Sequence, residues 1–221
     1  LNNLRPFSEG VALNPASPYS ESKIRCEEFL KLFKGHSNFK SLILRYSNVA
    51  GSAANLSNGQ RTAKPYHVFH RASLAQLDPL TQHQVFGNDY PTPDGTAIRD
   101  FIHIEDLVDL NILALNYLLV DSSSRITTLN AGADYPLSVL DVFKVMNQQF
   151  GQQYSEKKIY FSPRRLGDPA YLVSDSSQIK ELLHWKPKWT NRHIIATSSV
   201  RWLEKLRSAN DESKTSSPRL E

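Results

Sequence analysis

The chain has 221 residues, 40% apolar and 22% charged, enough to bury the core of one large or two small domains. Its 26 basic and 22 acidic side chains leave a mild, scattered excess of +4, which argues against nucleic acid as a partner. No apolar run approaches the roughly 20 residues of a spanning helix, so no membrane span is expected, and the single cysteine, Cys26, excludes a disulfide framework and fits a reducing, cytoplasmic compartment.

The first eighteen residues read as a surface loop ending Asn14-Pro15-Ala16-Ser17-Pro18. Helical periodicity then runs from Tyr19 to Phe33, with Ile24, Phe29, Leu30 and Phe33 on one apolar face, Cys26 as a small apolar member and Gly35 as the stop. Lys40 to Tyr46 is a near-continuous apolar run and predicts a strand buried on both faces; helix followed by buried strand is half of a parallel α/β unit. Residues 51–64 are a loop by composition. A helix from Pro65 to Leu77 and a short strand at Gln84-Val85-Phe86 follow, then a turn-rich segment from Gly87 to Gly95. Glu105 to Leu119 is the strongest helix, with Leu107, Leu110, Ile112, Leu113, Leu115, Leu118 and Leu119 expected to be buried. Ile126 to Leu129 is a strand, Val139 to Phe150 a helix and Ile159 to Phe161 a strand; helices near 176–183 and 192–206 complete the chain, and a polar, disordered tail is expected from Ser208.

Chemistry concentrates first at Tyr19-Ser20-Glu21-Ser22-Lys23. Tyrosine and lysine four apart share one helical face, and an ammonium beside a phenol favours the phenolate, which supplies a base for a sugar or alcohol hydroxyl. The spacing recurs at Tyr154 and Lys158, but that pair leads from a turn into a strand and need not share a face. His67 and His70 sit three apart with no third ligand beside them, so no metal is expected. His103 reads as a hydrogen-bonding residue at a helix entry and Asp141 as a residue near a helix start. Arg164-Arg165 alone would be an ordinary surface pair.

The wider strings carry a resemblance. Asn14-Pro15-x-x-Pro18-Tyr19-x-x-Ser22-Lys23, with a buried strand ending Arg45-Tyr46-Ser47-Asn48-Val49-x-Gly51, resembles the extended short-chain dehydrogenase/reductase superfamily. The run from Phe86-Gly87-Asn88-Asp89-Tyr90-Pro91 through Arg99-Asp100-Phe101-Ile102-His103 is similar to the UDP-glucose 4-epimerase family in particular. So are Asn130-Ala131-Gly132 with Ser138 to Val142, and Pro163-Arg164-Arg165-Leu166-Gly167-Asp168-Pro169-Ala170.

The resemblance implies an α/β fold: the C-terminal part of a Rossmann-type parallel sheet plus a smaller α/β substrate domain. Residues 1–64 would be the remnant of an NAD-binding domain, 65–207 mainly a UDP-sugar domain with segments returning to the first, and 208–221 the tail. Tyr19 would be the acid/base, and Lys23 would hold the nicotinamide ribose while keeping Tyr19 acidic. Tyr46 and Ser47 would lie beside the nicotinamide. Asn48 would reach the diphosphate or sugar, His67 and Val68 would form a substrate-binding pair, and Gln84, Val85 and Phe86 would frame the uracil. Arg99 and Arg165, taken as loop residues, would clamp the diphosphate; Asp168 would bind the uridine ribose, and Leu172 would line the hexose end. The implied cofactor is NAD, the substrates UDP-glucose and UDP-galactose, and the assembly a homodimer.

Departures accompany the resemblance. Ser47 replaces a usual phenylalanine, Phe101 a usual tyrosine, and His70 stands where proline is common. The family's Gly-x-x-Gly-x-x-Gly turn, which cradles a dinucleotide pyrophosphate, occurs nowhere in the 221 residues, so the chain reads as the C-terminal portion of such an enzyme. A sugar-nucleotide-binding module without catalysis, or an epimerase of a UDP-pentose or UDP-N-acetylhexosamine, stays open beside the main reading.

Overall fold

The computed structural model describes residues 4–36, 39–62, 66–78, 80–120, 126–151 and 159–215. Helix α1 spans Pro18–Lys31; Ser17 caps it in a reciprocal capping box with Ser20, and Pro18 sits in the first turn, where its missing N–H costs nothing. Of the face expected to be apolar, Ile24, Leu30 and Phe33 are half-buried and none is fully buried. Phe29 is 59% exposed, Cys26 is exposed, and the buried residue is Glu27. Glu27 explains the docking: Arg45 on the following strand grips its carboxylate through two hydrogen bonds of 2.7 and 2.6 Å.

That strand, β1 (Ser41–Tyr46), pairs in parallel with β5 (Ile126–Ala131), in register from Ser41↔Ile126 to Tyr46↔Ala131. It is half-buried along most of its length rather than enclosed on both faces, because among the described residues β5 is its sole ladder partner. The second sheet was not anticipated as such. Its central strand β4 (Ile98–His103) carries β2 (Asn48–Ala50) in parallel on its C-terminal half, and antiparallel β6 (Pro136–Ser138) and parallel β8 (Tyr171–Leu172) on its N-terminal half. Arg99 is therefore a strand residue, not a loop one. β3 (His83–Phe86) pairs in parallel with β7 (Ile159–Ser162).

Two apolar clusters hold these pieces. One joins α2 (Val68–Leu77), α4 (Val139–Phe150) and α6 (Arg192–Thr215) over Val85 and Phe101. The other packs α3 (Ile104–Val120) and α5 (Ser177–Leu183) against Ile102, Leu129 and Trp185. Of the α3 residues expected inside, Leu107 and Leu110 are buried, whereas Ile112, Leu113, Leu115 and Leu119 are exposed and Leu118 is half-buried. The strip of helix facing the β1–β5 pair is narrow, and the apolar composition of α3 overstated it. Two boundaries also move. α2 starts at Val68, Pro65 lying outside the described residues, and α6 continues to Thr215, so 208–215 is helix where a disordered tail was expected.

Small polar residues fix the joints. Ser138 and Asp141 form a capping box at α4, as the placing of Asp141 near a helix start implied. His103 accepts the Glu105 N–H at Nδ1, stacks on Trp189 and meets the Ser198 hydroxyl, which is the helix-entry role expected of it. Gly132 is required by close approach: a side chain there would collide with the carboxylate of buried Asp100, whose Oδ1 accepts the Tyr135 N–H at 2.8 Å. Burial raises the Asp100 pKa, with the Tyr135 N–H and the Ser47 hydroxyl beside it pulling the other way.

Candidate active site

A cavity of about 700 Å³ opens between α2, β3, the N-terminal half of β4 and the loop after β7. Ten of the fourteen residues singled out from the sequence line it: Tyr19, Asn48, His67, Val68, Gln84, Val85, Phe86, Arg99, Arg165 and Asp168. A neighbouring cavity of about 590 Å³ is lined by Tyr46, Ser47 and Leu172, and Asn48 belongs to both. Lys23 lines neither; its Nζ lies 5.3 Å from the centre of the Tyr19 ring. Among the described residues Lys23 has no carboxylate within ion-pair distance, and Tyr19 is 70% exposed. The phenol and the ammonium are thus both presented outward from one face of α1. Tyr154, the other tyrosine at this spacing, lies outside the described residues.

The walls divide by chemistry. Val85 is buried, while the Gln84 amide donates to the Ser162 hydroxyl at 2.8 Å, which pins β3 to β7 along one side. Arg165 lies over the Phe86 ring with its guanidinium carbon 4.0 Å from the centroid, a geometry that orients the cation without consuming its hydrogen bonds. Arg164, its neighbour, is used elsewhere: it pairs with Asp89 at 2.7 Å and covers Tyr90. Arg99 bonds to Asp168 at 2.5 Å and to the carbonyls of Ile98 and Pro169. Those contacts use three of its five N–H donors. Asp168, which the resemblance suggests as a ribose ligand, is here the hydrogen-bonding partner of Arg99.

His67 is the N-cap residue of α2, yet its side chain makes no capping hydrogen bond and its Nε2 is buried without a partner. Burial, and then the nearby His70, lower its pKa to about 4, so the imidazole is neutral at physiological pH. The ring packs edge-on against Phe101, and among the described residues its Nε2 has no hydrogen-bond partner, which leaves that atom able to donate to, or accept from, a ligand hydroxyl.

The cavity also contains residues that sequence reasoning passed over: Gln60, Thr62, Tyr66, Arg71, Ala97, Val139 and Phe143. One signal was available, because Arg71 stands one helical turn after His67. The others come from distant loops and helices. Among the described residues no cluster of three metal-binding side chains occurs, and no helix is long and apolar enough to cross a membrane.

Comparison with known proteins agrees with this arrangement. Residues 2–132 match the model of the Epimerase family, described as the NAD dependent epimerase/dehydratase family. A UDP-glucose 4-epimerase of Azospirillum brasilense is 36% identical over 201 residues, which is 91% of this chain and 56% of that protein. A crystal structure of the UDP-glucose 4-epimerase of Stenotrophomonas maltophila, with bound NAD and formylated UDP-arabinopyranose, superposes with a TM-score of 0.84 at 28% identity. The match covers 92% of this chain and 60% of that one. The corresponding enzyme of Bifidobacterium longum, in complex with NAD+ and UDP, gives 0.82 at 28% identity, over 90% of this chain and 58% of that one. The chain spans little more than half the length of these relatives. With a mixed α/β architecture of parallel strand pairs, a tyrosine–lysine helix and an arginine-lined cavity beside it, the chain belongs to the NAD dependent epimerase/dehydratase family.

Proposed function

We propose that this chain supplies the acid/base pair and the sugar-nucleotide site of an NAD-dependent UDP-glucose 4-epimerase. The enzyme would interconvert UDP-glucose and UDP-galactose through a 4-keto sugar. The observation that carries the reading is the single 700 Å³ cavity with Tyr19 at its edge and Gln84 to Phe86, Arg99, Arg165 and Asp168 on its walls. In this reading residues 1–64 serve mainly the cofactor side and 65–207 mainly the sugar nucleotide.

The residues present fit the nicotinamide-ribose end of NAD. An outward-facing phenol and an ammonium without a carboxylate partner are a suitable donor set for ribose hydroxyls, and exposed Tyr46 with Ser47 walls the adjoining space. NAD, when bound, supplies reversible hydride chemistry at the sugar's C4. Tyr19 takes the proton of the 4-hydroxyl as that carbon is oxidised and returns it when the keto sugar is reduced on its other face. Lys23 favours the phenolate form of Tyr19 by its charge. Arg165 and Arg99 hold the diphosphate, β3 frames the uracil, and His67 and Asn48 lie where sugar or phosphate oxygens pass. Leu172, half exposed beside Tyr46, bounds the hexose end.

We extend the reading to a cytoplasmic homodimer acting in galactose metabolism; the outward Phe29 and Leu32 of α1, 59% and 74% exposed, support a partner surface. Calorimetric titration of the 221-residue chain with UDP-glucose is the test. Saturable binding displaced by UDP is expected, without turnover, since the sequence contains no glycine-rich pyrophosphate turn. Failure to bind UDP-glucose would sink the reading, and a clear preference for UDP-N-acetylglucosamine or a UDP-pentose would move it to the other epimerases.

A further inference from the structure

His67 is the N-cap residue of α2 and lines the 700 Å³ cavity, and with Gln60 it also borders a second cavity of about 520 Å³. Its side chain caps nothing, and its Nε2 is buried with no hydrogen-bond partner among the described residues. Phe101 supplies only a ring contact, at 6.0 Å between centroids. His70 and Arg71 follow it on α2, and the first turn of that helix carries no acidic residue. Arg99 of β4, Arg165 of the loop after β7 and the phenols of Tyr19 and Tyr66 share the larger cavity with it. Of the two carboxylates that line these cavities, Asp168 is bonded to Arg99 at 2.5 Å, and Glu105 on α3 accepts the Ala54 N–H at 2.7 Å. Among the described residues neither pairs with the imidazole.

A ring so placed is neutral. Burial penalises its charged form and the neighbouring His70 adds to the penalty, which together lower its pKa to about 4. The positive end of α2 works in the same direction. A sugar nucleotide reverses the sign of that environment. Its diphosphate brings about one negative charge per phosphate to a wall that carries three arginines and one carboxylate. An anionic oxygen in reach of Nε2 favours the imidazolium. We propose that His67 is a proton-coupled ligand of the diphosphate: neutral in the free chain, it takes up one proton from solvent when a sugar nucleotide binds, and Nε2 then donates to a phosphate oxygen beside Arg99 and Arg165. The proposal rests on the reading of this cavity as a sugar-nucleotide site and leaves the arginine clamp as it stands. Affinity for the substrate then rises as pH falls between the pKa of the bound ring and that of the free one, by at most about tenfold per pH unit.

UDP-glucose is the probe, since a diphosphate esterified at both ends takes up no proton near neutrality, whereas the terminal phosphate of UDP titrates at about pH 6. Calorimetry of the chain at about pH 6, in two buffers of different ionisation enthalpy, is expected to show uptake of more than about half a proton per ligand. Affinity there is expected to be about tenfold higher than at about pH 8. His67→Asn keeps a side-chain N–H donor and cannot titrate, so the uptake and the gain in affinity at acid pH are expected to vanish. His70→Gln removes the neighbouring imidazole and should keep both. Ring NMR gives a readout that needs no substitution: one imidazole with a pKa of about 4 should move up by about two pH units or more with UDP-glucose bound. Binding without proton uptake, absence of that NMR shift, uptake that survives in His67→Asn, or uptake lost in His70→Gln alone overturns the proposal. If the chain binds UDP-glucose at neither pH, the reading of the cavity falls and the proposal with it.

Discussion

The α1 helix and the α2–α4–α6 bundle both line the 700 Å³ cavity, on opposite kinds of support. The bundle packs Phe69, Val142, Met146 and Ile195 at 1% exposure or less, and its first turn and the strand beneath it line the 700 Å³ cavity. α1 buries no apolar side chain fully, Ile24 and Leu30 being half-buried, and a bidentate ion pair from Glu27 to Arg45 fastens it. A binding wall built into a core is rigid because moving it opens a void. A helix fastened mainly by charge can reposition at smaller cost, and its alignment depends on pH and salt. The difference teaches where this chain keeps precision, at the cavity wall built on the bundle, and where it keeps freedom, at the phenol of Tyr19.

The largest expected effect falls on α1 and concerns chemistry alone. In a chain extended with the N-terminal segment of the Azospirillum relative, Tyr19→Phe is expected to lower turnover by roughly 10²–10⁴-fold, with UDP affinity preserved. A coupled spectrophotometric assay reads this. Tyr154→Phe should be nearly silent, and equal damage from both would assign the base wrongly.

Next comes the acid side of the bundle. The folded pKa of His67 is about 4 against an ordinary 6.5, so between those values the unfolded chain binds more protons. Its contribution is fully present above pH 6.5 and is lost as pH falls toward 4, amounting to about 3 kcal/mol at most. Urea unfolding at pH 7 and pH 4.5 should show the loss, and His67→Gln should flatten it. Glu27, held below the usual carboxylate range by the Arg45 hydrogen bond, adds to the loss at the acid end.

Glu27→Gln probes the fastening itself. Arg45 keeps one good hydrogen bond and loses its counter-charge at a largely buried spot, so destabilisation of about 1–3 kcal/mol is expected. Hydrogen exchange should place that loss in α1 and in Leu42 to Leu44, leaving Val145 and Met146 of the bundle protected. Uniform loss across both regions would erase the distinction between them.

The smallest effect separates adjacent arginines. Arg164 is spent on Asp89 and Tyr90 at the surface, so Arg164→Met should leave UDP affinity within about twofold and cost under about 1 kcal/mol of stability. Arg165→Met, with no such partners, should weaken UDP binding about tenfold.

Much of the fold and the site was legible in the sequence because the signals were local. Capping and periodicity place α1 and α4 within a few residues, and the long string from Phe86 to His103 carries the resemblance to the family. Ten of the fourteen candidate residues meet in one cavity. Three things were not legible, each for a reason that lies in three dimensions. Apolar composition cannot tell which side of α3 or α1 meets a neighbour, and so Ile112, Leu115 and Phe29 lie outside while the charged Glu27 lies inside. Strands of two or three residues, such as β6 and β8, have no periodicity of their own and exist because β4 offers them its edges. The partner of a charge is set by tertiary proximity: Arg99 finds Asp168 from 69 positions away, a pairing invisible in any motif. Chain order determined which groups the protein owns, and packing decided which of them meet, because a contact between distant positions exists only once the chain has folded.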